Sequence, residues 1–336
     1  MSMQRIRQLD GIRAVAVLSV FLHHALHVKL LWMGVDLFFV LSGFLITGVL
    51  LDAKRHSLAG FFAHFYSRRT RRILPPYLLL LGLGSCVYGI AWMQHWYFYI
   101  LLTNFLTPLQ VQHPLAFKPL WSLAVEEQFY LAWPFAVYFL ANQRLRQLCI
   151  VLMLAAPVLR GLFHFDHLWP IYMLTPFRMD LLAAGGLLCL EWRSRQERIE
   201  RYGAALGLSL VAIGVAGVFI LMKRGYSTYG NTRMGNVFIY EACMFIALGA
   251  MIFALGGRGV EWLRWRPLTY IGQISYSMYL VQVGIIHLVS EKFHGMMAAA
   301  IALAITVAYA AISWSAMESQ LLKGKRRKVV PELHTA

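Results

Sequence analysis

Polar residues interrupt the chain at intervals and leave apolar runs of roughly 20 residues, long enough as helices to cross a hydrocarbon core. The runs fall at 9–29, 31–51, 73–94, 119–141, 146–165, 174–192, 203–222, 235–256, 268–290 and 296–317. A shorter run, 96–107, falls below that length. The expected fold class is therefore all-α: a polytopic membrane protein of about ten transmembrane helices. A re-entrant or interfacial helix at 96–107 and a cytoplasmic basic amphipathic segment complete it. No internal repeat, low-complexity stretch or Gly/Ser linker divides the chain. Residues 1–322 read as a single transmembrane domain and 323–336 as a basic cytoplasmic tail.

Composition agrees. Of 336 residues, 59% are hydrophobic and only 14% charged, and the mean hydropathy is +0.59. Both depart from a soluble domain in the same direction, which excludes an ordinary soluble enzyme, a disordered tail protein and a disulfide-stapled module. The 31 Lys and Arg outnumber 15 Asp and Glu, for a net charge of +16. Most of that surplus lies in short loops between apolar runs, so it reads as membrane orientation and not as nucleic-acid binding. If 96–107 does not cross, Arg5 and Arg7, Lys54–Arg72, Arg144–Arg146, Arg193–Arg201, Arg258–Arg266 and Lys323–Lys328 all share one side. Both termini are then expected in the cytoplasm. Cys86, Cys149, Cys189 and Cys243 sit in apolar runs without paired-ligand spacing and read as small core residues. The first run lacks a small-residue cleavage site after it and is expected to be kept as a span.

Polar residues inside spans are costly unless they face a cavity or a partner, so they are the functional candidates. Arg13 and His24 are eleven residues apart, close to three helical turns, on one face and about 16 Å apart along the axis. The plainer alternative is a snorkelling arginine and an interfacial histidine. His23 and His27 share i,i+4 spacing, but no acidic or cysteine ligand accompanies them and no metal is expected. Asp36 opens the second run at a depth comparable to His24, where a carboxylate could orient an imidazole. Arg69 and Arg72, three apart in a basic aromatic segment, suit a bidentate phosphate clamp or, alternatively, anionic lipid headgroups. Ser122, Glu126, Tyr130 and Trp133 line one helical face, which favours Glu126 over Glu127 as a substrate-facing carboxylate. Arg178 and Asp180 open the sixth run, and Ser275, Tyr279 and Gln282 form a polar stripe on the ninth.

Together these strings resemble the acyltransferase-3 family of integral-membrane acyltransferases. The matching residues are Leu9-Asp10-Gly11-Ile12-Arg13 with His24, Gly34–Gly43, and Arg69-x-x-Arg72 before Ile73-Leu74-Pro75. Leu120-Trp121-Ser122-Leu123, Glu126-Glu127-Gln128-Phe129-Tyr130, Phe177-Arg178-Met179-Asp180 and Ile274-Ser275-Tyr276-Ser277 match as well. The resemblance implies an O-acyltransferase in a bacterial cytoplasmic (inner) membrane. It would move an acyl group, usually acetyl from cytosolic acetyl-CoA, onto a sugar hydroxyl of a surface glycan such as lipopolysaccharide or exopolysaccharide. Many relatives carry histidine at the position of Gln282, and some add an SGNH hydrolase-like domain for which this chain ends too soon. A partner protein supplying that part and a membrane domain acting alone are both compatible.

The chemistry needs a base, donor positioning and shelter from water. His24 is expected as general base, with Asp36 orienting it and Glu126 or Glu127 in the same network. Arg69 and Arg72 are expected to hold acetyl-CoA, and Arg13 either to bind it with them or to stabilise developing oxyanion charge. Trp121, Ser122, Arg178, Asp180, Ser275 and Tyr279 are expected to contact substrate. The expected partners are acyl-CoA, a glycan acceptor and membrane lipid. A covalent acyl-histidine course is the chemical alternative, and a transporter or flippase of a glycan or lipid precursor is the functional one.

Overall fold

The computed structural model describes residues 6–227 and 230–323. The expectations for Arg5 and for the basic tail after residue 323 lie outside the described residues. Those residues form helices, with no strand among them. α1 (Arg7–Leu26) carries Asp10 in its first turn, where a carboxylate favours the helix dipole, and ends where His27 takes a left-handed φ of 55°. A short 3-10 turn, Leu31–Met33, leads into α2 (Gly34–Ala53). α3 (Leu58–Tyr88) starts at Ser57, whose hydroxyl accepts from the Gly60 N–H, and stops at Gly89 with φ 75°.

At 31 residues, α3 is about 46 Å long. The basic amphipathic segment and the third apolar run, read as separate in the sequence, are thus one helix. Pro75 and Pro76 lie within it and do not break it, as prolines in membrane helices often do not; the Tyr276 hydroxyl donates to the nearby Ile73 carbonyl at 3.0 Å. The run at 96–107 forms no α-helix. It is covered by a 3-10 stretch, Ala91–Tyr99, broken at His95, and a single turn, Thr103–Phe105. At about 2 Å per residue these pieces are too short to cross a bilayer.

α4 (Leu120–Phe139), α5 (Asn142–Leu162) and the short α6 (Trp169–Met173) follow. α7 (Met179–Lys223) joins the sixth and seventh apolar runs, with a non-helical break at Arg195 inside the charged stretch between them. α8 (Arg233–Leu255), α9 (Arg266–Ser290) and α10 (Gly295–Ser313) complete the long helices, and a π-helical turn leads to α11 (Ser319–Lys323). Among the described residues six helices are long and apolar enough to cross a membrane. α3, α4 and α9 are long helices outside those six. They carry the arginine cluster, the Glu126-Glu127-Gln128 string and the Ser275–Gln282 stripe.

Two close helix contacts set the frame of the site. A Cβ at Gly272 of α9 would overlap the Asp10 carbonyl of α1, and one at Gly43 of α2 would overlap the Leu182 carbonyl of α7. Small residues let backbones touch in this way, and packing takes the place of a hydrophobic drive between membrane helices. Phe39, Phe44 and Leu182 fill the centre, where the Trp133 Nε1–H donates to Thr47 Oγ1 at 2.9 Å. α1, α2, α4 and α9 thereby surround the space that holds the polar residues.

Candidate functional site

Two cavities lie along α1. One, of about 100 Å³, brings Arg13 together with Arg69 and Arg72 of α3. Ser122, Glu126, Ser275 and Tyr279 line it too, so six of the residues that the sequence singles out on α3, α4 and α9 converge there with Arg13. The Arg13 Nη1 donates to Asp10 Oδ1 at 3.1 Å, and the Arg69 guanidinium stacks 4.8 Å from the Tyr130 ring. Glu126 is fixed from both sides. Ser42 Oγ donates to its Oε1 at 2.8 Å and the Tyr130 hydroxyl donates to its Oε2 at 2.9 Å. Three guanidiniums facing one immobilised carboxylate leave a net positive mouth suited to phosphate.

The second cavity, of about 660 Å³, holds His24. Its Nδ1 lies 2.9 Å from the Val20 carbonyl. A carbonyl only accepts, so Nδ1 carries the proton and Nε2 of the neutral ring keeps the lone pair that a base requires. His23, edge-on to His24 with ring centroids 5.0 Å apart, shares the wall. Trp121 lines this cavity and its neighbour Ser122 the other, so the start of α4 divides them. Val35 and Tyr279 line both. The Tyr279 hydroxyl is hydrogen-bonded to Ser122 Oγ at 2.5 Å, and this pair forms the neck between the arginine and histidine cavities. Lys118, in the loop before α4, sits 4.6 Å over the Trp169 ring, and burial lowers the pKa of its ammonium.

Glu127 looks elsewhere. It lines an apolar lateral groove of about 520 Å³ between α3, α4 and the 3-10 stretch, not the arginine cavity. Its Oε1 is buried without a hydrogen-bond partner.

The expected pairing of Asp36 with His24 is corrected. Asp36 is buried and ion-paired with Arg178. Equal depth on two helices does not fix which way each side chain turns, and Asp36 turns towards α7. Arg178 and Asp180 likewise line none of the three cavities. The Arg178 guanidinium is held among aromatic faces, 4.9 Å from the Tyr240 ring and 5.4 Å from Tyr172. Asp180 receives Arg160 Nη2 at 2.7 Å, and Arg160 also bonds Glu241 at 2.5 Å and the Phe177 carbonyl at 2.7 Å. Arg160 and Glu241 escaped the sequence reading, although each is a charge inside an apolar run and so carried the same signal as Arg13. Gln282 is buried with neither amide atom hydrogen-bonded. No cluster of three or more metal-ligating side chains occurs among the described residues.

A family model described as an acyltransferase domain matches residues 6–318. The chain is 32% identical over 311 residues to the putative peptidoglycan O-acetyltransferase YrhL of Bacillus subtilis, covering 81% of this chain and 47% of that protein. It is 27% identical over 317 residues to the O-acetyltransferase OatA of Staphylococcus aureus, covering 85% and 51%. With the peptidoglycan O-acetyltransferase OatA of Listeria monocytogenes it shares 28% identity over 323 residues, covering 85% and 50%. The chain thus spans about half the length of the curated relatives it matches. No solved structure matches it.

Proposed function

Because this chain belongs to the acyltransferase-3 family, we propose that it is a membrane O-acetyltransferase that moves acetyl from acetyl-CoA to a hydroxyl of a cell-envelope glycan. The relatives named as peptidoglycan or O-acetyltransferases support the reaction class and a glycan acceptor. One observation carries the mechanism: Val35 and Tyr279 border both the arginine cavity and the cavity of His24. A donor anchored by its phosphates at Arg13, Arg69 and Arg72 can therefore present its thioester at the neck.

His24 Nε2 takes the proton of the acceptor hydroxyl as the oxygen attacks the thioester carbonyl. The tetrahedral adduct collapses with cleavage of the carbon–sulfur bond. The departing thiolate takes the proton back from the imidazolium, which leaves the ester, free CoA and neutral His24. Holding both reactants across the neck turns a bimolecular encounter into a local one. Glu126, fixed by Ser42 and Tyr130, keeps the three arginines in place around the donor. Ser122, Tyr279 and Trp121 contact the reactants at the neck, and Ser275 contacts the donor.

In this reading α1 to α5 and α8 to α10 each cross once and α7 twice, ten crossings in all. The arginine end faces the cytosol of a bacterial cytoplasmic membrane, with both termini on that side. The short segments at 91–105 lie at the opposite face.

The test is direct. Full-length protein in nanodiscs is mixed with acetyl-CoA and a soluble envelope-glycan fragment, and the fragment is weighed by mass spectrometry. The expected result is an added acetyl group with stoichiometric release of CoA. Absence of both, from protein that binds the fragment and moves it across a vesicle membrane, would replace the enzyme with a transporter.

A further inference from the structure

The cavity that holds His24 has an unusual chemistry for a neutral sugar. Carboxylates are the acceptor-only side chains, and a site that holds them carries negative charge that a neutral sugar tolerates and an anionic one does not. Among the described residues no Asp, Glu, Asn or Gln lines this cavity. Its wall carries instead His23, His27, His287, Lys29 and Lys118 besides His24. Both lysines offer only donors; the Nδ1 atoms of His23 and His24 donate to the Val28 and Val20 carbonyls, so the acceptors left, their Nε2 atoms among them, carry no negative charge. The remaining wall is largely apolar, with Trp32, Trp121 and Trp169 presenting surfaces for the carbon face of a ring. Lys118 is held over Trp169, which fixes one positive charge at the edge of that surface. A concave site of one charge sign with low-dielectric walls focuses its field on a ligand of the opposite sign.

We propose that the acceptor is an acidic saccharide, which carries an anionic oxygen group (carboxylate or phosphate) that Lys118 and the neighbouring bases bind while its hydroxyl meets His24. This rests on the acyl-transfer reading for the role of the hydroxyl, but the anion site itself stands on the lining alone. The arginine cavity, which holds Glu126, is distinct from it and serves the donor.

Binding of four probes to the full-length protein in nanodiscs tests it, read by saturation-transfer NMR without acyl donor. The first pair is methyl glucuronide and its methyl ester, which differ only in charge. The second is glucose 1-phosphate and glucose. At low salt the charged member of at least one pair binds about tenfold tighter, and the preference narrows as salt rises. A preference confined to the first pair assigns a sugar carboxylate, and one confined to the second a sugar phosphate. Lys118→Met, which keeps the stem over Trp169, removes the preference, and Lys118→Arg retains it. Equal binding within both pairs overturns the proposal, as does a preference that survives in Lys118→Met with an unchanged melting temperature. Because no acyl transfer is read, an anion preference without turnover would sink the enzymatic reading and leave this one standing.

Discussion

Glu126 and Glu127 are sequence neighbours on α4 that line different cavities. Glu126 is pinned by Ser42 and Tyr130 among three arginines, and Glu127 faces the apolar lateral groove. Glu126→Gln therefore lowers acetyl transfer on the order of tenfold, equal to about 1.4 kcal/mol of barrier. Glu127→Gln leaves turnover within about twofold. Turnover of both variants in nanodiscs checks the pair, and the reverse order would reassign the carboxylate. Helical spacing alone had favoured Glu126, because Ser122, Glu126 and Tyr130 fall one turn apart and the structure brings all three to one cavity. Asp36 shows what spacing lacks. Its depth was legible, but its partner is set by the rotation of α2 against α7, and that depends on Arg178 arriving from 142 residues away.

At the scale of elements, Arg160 ties α5 to α7 through Asp180 and to α8 through Glu241. Removing one member of a buried ionic cluster leaves the others uncompensated and costs about 3–5 kcal/mol. Arg160→Met accordingly lowers the melting temperature sharply, while acetyl-CoA affinity in the surviving folded fraction stays near the wild-type value. A melting curve superimposed on wild type would mean that the cluster does not hold these helices. Gly43→Ala forces α2 away from the Leu182 carbonyl, a strain of about 1–3 kcal/mol that the same melts should register. Each long helix was legible from an apolar run. The continuity of α3 through Pro75 and Pro76, and the joining of two runs in α7 across a single break at Arg195, were not. A proline pair and a charged stretch both read as ends of apolar runs, and local spacing does not show that helix runs on past them.

Across the whole molecule, opposite ends of one helix open into two cavities, to which the proposed reaction gives two chemistries. Arg13 and His24 of α1 open into separate cavities that meet at Val35 and Tyr279. Donor binding and group transfer should therefore separate genetically. Arg69→Ala and Arg72→Ala weaken acetyl-CoA binding, each by about tenfold for the loss of one charge-assisted contact. An unchanged dissociation constant in both would return these arginines to lipid anchoring. The sequence carried this division, since the Arg13-to-His24 spacing already measured the distance between the two ends. It did not carry the neck, which forms only when α2, α4 and α9 close around it.

The most direct test is His24→Gln, assayed for acetyl-CoA affinity and single-turnover acetyl transfer on the same folded sample. Glutamine preserves size and polarity but cannot take up the proton. The account predicts wild-type affinity with transfer slowed by about 10²- to 10⁴-fold. Transfer at close to the wild-type rate would contradict it.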